Sequence, residues 1–105
     1  MDGICIESLR TLCHTDKVKW TIHVLNRMRE RRISSDAILN AVLSGEIIKQ
    51  YQDDKPFPSC LIFNKDFAAP LHIVASTDKR NVYVITVYIP TLDDWEADYR
   101  TRKEL

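Results

Sequence analysis

The sequence predicts an α+β fold, with N-terminal helices packed on a mainly antiparallel four-stranded sheet and a short C-terminal helix. Two observations carry this. Up to Ser44 the apolar residues recur at helical spacing, and beyond Gly45 the pattern changes to short runs rich in Val, Ile, Tyr and Thr. The strands also follow one another without intervening helical segments, the order that an antiparallel meander requires.

Each element has its own signal. Residues 4–13 read as a short helix, and 17–20 as a brief strand. A helix follows from about Thr21 to Arg32. Trp20, Val24, Leu25 and Met28 share its apolar side, Ile22 and Arg29 fall opposite, and no Gly or Pro interrupts it. Ser34 or Ser35 can cap a further helix over 36–44, whose apolar face is Ile38, Leu39, Val42 and Leu43. Gly45 stands where glycine favours helix termination. Strands are expected over 46–51, 60–63, 71–76 and 82–89. Residues 53–58 form a loop, and 64–70 and 77–81 are hairpin connections. Pro90 ends the last strand, and Thr91 to Asp94 reads as a capping box opening a final helix through about Arg102.

Strand alternation puts Ile85 and Val87 on one face, and Thr86 and Tyr88 on the other. Leu71 and Ile73 likewise oppose His72 and Val74. The more apolar set should meet the helices, leaving His72, Thr86 and Tyr88 together on the open face if these strands pair.

A length of 105 residues suits one domain spanning 1–105. With 45% hydrophobic and 29% charged residues the chain reads as soluble and globular, and no stretch is apolar enough to span a membrane. Asp2 and Glu7 near the start argue against a secretory leader, so a cytoplasmic protein is expected. Cys5, Cys13 and Cys60 form neither a disulfide framework nor a zinc motif, and they read as small buried apolar residues. Nothing near Cys60 marks it as an activated nucleophile. No His-x-x-x-His, cysteine cluster or Gly-rich phosphate loop is present, so no metal or cofactor is expected.

Net charge is zero, which disfavours a long nucleic-acid track. The charges are unevenly spread. Lys17, Lys19, Arg27, Arg29, Arg31 and Arg32 cluster with Glu30 alone, whereas Asp53, Asp54, Asp93, Asp94, Glu96 and Asp98 come later. Within the basic cluster His23, Arg27 and Arg31 are spaced four apart and line one border of the apolar stripe. An imidazole can move protons near neutral pH, and guanidinium forks suit phosphate. This is minimal equipment for acting on a phosphodiester without a metal.

The segments Trp20-Thr-x-His23, Arg27-Met28-x-Glu30-Arg31-x-Ile33 and Gly45-Glu-Ile-Ile followed by Tyr51 resemble the bacterial domain-of-unknown-function family 4258. So do Pro70-Leu-His72-Ile-Val, Ile85-Thr86-Val-Tyr88 and Trp95. That family is similar to the RelE and BrnT group of toxins, small metal-independent ribonucleases. The resemblance implies a RelE-like domain and a toxin-type endoribonuclease acting on RNA, with ribosome-bound mRNA a candidate substrate. It also implies a protein antitoxin, with the zinc-finger YgiT (MqsA-like) type a candidate.

Such cleavage needs a base for the ribose 2′-hydroxyl, an acid for the leaving 5′-oxygen and cations for the charged phosphorane. His23 is the first candidate for proton transfer, with Arg27 and Arg31 on the phosphate. Tyr88 or His72 could be the second proton carrier, Thr86 a positioning donor, and Lys19 an added charge. The contrasting expectation is a non-catalytic module binding a protein or RNA through the same ridge. On that reading His23 bonds a neighbour, the arginines are solvated or paired, and His72 and Tyr88 serve packing.

Overall fold

The computed structural model describes residues 3–65 and 70–104. Its order is α1 (Ile6–His14), β1 (Val18–Trp20), α2 (Ile22–Arg31), α3 (Ser35–Ser44), β2 (Glu46–Tyr51), β3 (Ser59–Asn64), β4 (Leu71–Thr77) and β5 (Val82–Tyr88). The eight elements lie close to their expected places. The 64–70 connection falls partly outside the described residues.

The sheet has five strands, in the order β1-β5-β4-β3-β2, rather than four. The additional member is the brief strand β1. It runs parallel to β5, pairing Val18 with Val82 and Trp20 with Val84, and the other neighbours are antiparallel. Crossing from β1 back to the sheet requires a long connection, which α2 and α3 provide. Leu9, Val24, Ile38 and Val42 from the helices meet Cys60, Ile62, Leu71, Ile73, Val82, Val84 and Val87 in one core.

The helix termini follow the serine and threonine signals. Thr21 accepts from the Val24 amide at 3.1 Å, and Ser34 accepts from the Ala37 amide at 3.1 Å. Gly45 ends α3 for a different reason from the expected one. Its φ of −91° is open to any residue. A Cβ there would lie 2.4 Å from the Ala41 carbonyl oxygen and 2.8 Å from that of Phe63. Close approach of α3 to β3 therefore requires the glycine. On α2, Val24 is buried and Met28 packs against the core, as does Trp20 at the end of β1, whereas Leu25 turns outward with Ile22.

Two further expectations change. A register shift falls between the pairs Val74–Thr86 and Ala75–Val84, leaving Ile85 as the extra residue. Val84 and Val87, three apart, both reach the core, and Ile85 does not share its face with Val87 there.

The expected C-terminal helix is absent. One turn forms, with the Trp95 amide donating to the Thr91 carbonyl, and the chain then folds back to pair Trp95 with Arg102. Asp98 accepts from the Arg100 and Thr101 amides, the local competition by which an aspartate diverts backbone from a helix. Burial of Trp95 against His72, with ring centroids 4.5 Å apart and near-perpendicular planes, holds this segment across the open face.

Candidate functional site

The N-terminus of α2 is fixed to β5 by one hydroxyl. Thr21 Oγ1 caps the helix and lies 3.3 Å from both the Val84 and the Ile85 carbonyl oxygens. At the other end, Arg31 Nη1 donates to the Val87 carbonyl at 3.4 Å. Thus α2 runs along the part of β5 beyond its pairing with β1.

His23, Arg27 and Arg31 occupy one flank of α2. His23 and Arg31 are exposed and Arg27 is half-buried. Arg27 forms an ion pair with Glu30 at 2.8 Å. The Arg31 contact brings the flank to the strand carrying Thr86 and Tyr88, with Val87 between them. Lys19 is exposed on β1 opposite Tyr83. Among the described residues no hydrogen bond joins His23 to another of these side chains.

Thr86 pairs with Val74 and Tyr88 with His72, so the expected open-face neighbours do meet. His72 is not on an accessible surface, however: it is fully buried. Its Nδ1 lies 3.2 Å from Tyr88 Oη and its Nε2 lies 2.8 Å from the Tyr99 carbonyl oxygen. A carbonyl only accepts, so Nε2 carries the proton and Nδ1 accepts from the Tyr88 hydroxyl. Burial lowers the His72 pKa, with the Tyr99 bond opposing that shift. Both ring nitrogens of His72 are thus engaged within the protein, away from the exposed flank of α2.

Three participants were not expected at this position. Burial raises the hydroxyl pKa values of Tyr51 and Tyr88, and the nearby Arg102 guanidinium lowers both. Trp95, which the family resemblance includes, seals His72 and also lies under Arg102, 5.7 Å from ring centroid to guanidinium. The aromatic residues could be read as strand or anchor positions. Arg102 could not, because its place depends on a tail that folds back.

A cavity of about 530 Å3 lies elsewhere, between α1 and residues 52–58 and 77–79, with Cys5 and Lys79 in its lining. Cys5 is exposed, Cys13 half-buried and Cys60 buried, so the buried reading fits Cys60 best. Among the described residues, no group of three His, Cys, Asp or Glu side chains is placed to hold a metal ion. No helix among them is long and apolar enough to cross a membrane.

Comparison with known proteins gives one family match and no match among curated proteins or solved structures. The matching model is the Domain of unknown function (DUF4258), over residues 20–89. That span begins at Trp20, includes the flank of α2 and all of β2 to β5, and ends one residue beyond Tyr88. The chain belongs to the DUF4258 family.

Proposed function

We propose that the protein is a RelE-like, toxin-type endoribonuclease that cleaves RNA by metal-independent transesterification at the junction of α2 and β5. The observation that carries this reading is the Arg31–Val87 contact. It sets a flank bearing an exposed imidazole and two guanidiniums against the strand bearing Thr86 and Tyr88.

In the proposed reaction the ribose 2′-hydroxyl attacks the adjacent phosphorus and the bond to the 5′-oxygen breaks. The products are a 2′,3′-cyclic phosphate and a 5′-hydroxyl. One group takes the 2′-hydroxyl proton and another supplies a proton to the leaving oxygen. His23 and Tyr88 fill these two roles. Arg27 and Arg31, with Lys19, bind the phosphate and its developing charge. Thr86 orients the ribose or phosphate by a hydrogen bond. His72 is a positioning residue that acts by holding the Tyr88 hydroxyl. A cytoplasmic protein inhibitor, of the YgiT-like antitoxin type, fits the same reading.

A non-catalytic binding module is the second reading. It is favoured by the Arg27–Glu30 pair and by the lack, among the described residues, of a hydrogen bond from His23 to a second proton carrier. Purified protein incubated with structured and ribosome-bound RNA, with a chelator present, separates the two. Cleavage leaving 2′,3′-cyclic ends and lost in His23→Ala supports the enzyme. Intact RNA on both substrates, bound by wild type and released by Arg31→Ala, supports the module.

A further inference from the structure

The cavity beside α1 is separate from the α2–β5 junction. Thr77 and Lys79 in its lining come just before β5, whereas the Arg31–Val87 contact lies near the end of that strand. Its volume of about 530 Å3 is typical of small-molecule sites. Hydrogen bonds within the chain hold its walls in place. Gln50 grips the Ile4 backbone twice: its Oε1 accepts from the Ile4 amide and its Nε2 donates to the Ile4 carbonyl, both at 2.9 Å. Ser76 Oγ donates to the Pro58 carbonyl at 2.7 Å. Thr77 Oγ1 donates to the Asn81 carbonyl at 2.8 Å and accepts from the Lys79 amide at 3.0 Å. The cavity is therefore preformed, and an entering ligand has little of the chain left to order.

The lining defines the ligand. Cys5, Ser8 and Leu12 follow one another at helical spacing, so one face of α1 forms a side of the cavity. Ile4, Leu12 and Pro58 make that lining mostly apolar. Among the described residues no Asp or Glu lines it, and Lys79 brings its single charge. Lys79 has no ion-pair partner among those residues. We propose that the cavity binds a small amphipathic monocarboxylate, with its apolar body against Ile4, Leu12 and Pro58 and its carboxylate on Lys79. One cation matches one negative charge. A phosphate dianion would lack a second cation here and would leave the apolar wall uncovered. The proposal does not rest on the ribonuclease reading, and its test does not measure cleavage.

Calorimetric titration of the full chain with octanoate tests it, with octanol and inorganic phosphate as contrasting probes. Octanoate is expected to bind with a dissociation constant of about 0.1–1 mM. Lys79→Met keeps the aliphatic stem and is expected to weaken octanoate about fivefold at low salt, with octanol unchanged. Ser8→Trp fills the space beside α1 and is expected to weaken both about tenfold or more. Circular dichroism confirms that each variant is folded. In the wild type, octanoate should slow iodoacetamide labelling of Cys5, which lines the cavity, and leave that of Cys13, which does not, unchanged. No binding of octanoate at about 10 mM overturns the proposal. So does equal binding of octanoate and octanol that Lys79→Met leaves unchanged, binding of phosphate in place of octanoate, or protection of Cys5 and Cys13 alike.

Discussion

Tyr88 and His72 face each other across β5 and β4, and the Tyr88 hydroxyl donates to a ring nitrogen that is held neutral by burial. The second ring nitrogen donates to the Tyr99 carbonyl, so one imidazole ties two strands to the C-terminal segment. Protonation would put a second N–H against the Tyr88 hydroxyl and end its donation.

Stability should therefore depend on pH through His72. The folded-state pKa lies below the ordinary 6.5, so the unfolded chain binds the proton more readily. The contribution is complete above about 6.5, declines as pH falls toward the folded value, and levels off below it. Its slope cannot exceed about 1.4 kcal/mol per pH unit for one proton. Urea unfolding across this range should show the decline in wild type and a flatter profile in His72→Gln. The variant should also lose about 2 kcal/mol at neutral pH, because Tyr88 and Tyr99 lose a fitted partner. Asp78 and Asp98, held below 3.8 by hydrogen bonds to their carboxylates, act at more acid pH.

Much of this arrangement is legible in the chain, for local reasons. Helical spacing locates α2 and α3, their caps are short-range bonds, and β-branched runs mark β2 to β5. The His72–Tyr88 proximity follows from alternation once β4 and β5 pair. The cover over His72 does not follow. It depends on Trp95 leaving a favourable helix start to bury its ring, and on Asp98 capturing two amides. The membership of β1 in the sheet is equally long-range, since three residues carry little pattern and their partners lie 64 positions away.

Gly45→Ala should cost about 3 kcal/mol, although the backbone conformation there suits alanine. The added methyl would meet two backbone oxygens, and neither can move without shifting α3 or β3. A thermal midpoint close to wild type would show that the helix and strand can separate freely.

Thr21→Val should lower stability by about 1–2 kcal/mol. The substitution keeps the shape but removes both the cap on the Val24 amide and the donor to the Val84 and Ile85 carbonyls. Arg31→Ala should cost less, because its bond to Val87 is long and its side chain is exposed. Amide exchange across 85–88 should accelerate in Thr21→Val, since α2 would hold that strand less firmly.

The three thiols should alkylate in a fixed order. Cys5 is exposed, and bonds from the Ser8 and Glu7 amides favour its thiolate. Burial raises the Cys13 pKa, and pushes that of Cys60 up to about 12. Native-state iodoacetamide labelling read by mass spectrometry should modify Cys5 first, then Cys13, and leave Cys60 until the protein unfolds. Early modification of Cys60 would mean that β3 opens locally.

Glu30→Gln offers a way to strengthen the proposed phosphate site without touching it. Glu30 accepts from Arg27 on the exposed flank, so incoming phosphate must displace a carboxylate already bound there. An exposed pair of this kind contributes about 0.2–1 kcal/mol, and removing it should leave stability within about 0.5 kcal/mol of wild type. Deleting the negative charge also lowers the repulsion that RNA meets on approach to His23 and Arg31. Affinity for an RNA carrying a 2′-deoxy block at each nucleotide, which cannot be cleaved by this route, should rise several-fold at low salt. The gain should vanish in Glu30→Gln with Arg27→Ala. An unchanged affinity in the single variant would place the phosphate away from Arg27, while a gain that survives loss of Arg27 would assign it to Arg31 or to the field of the whole flank.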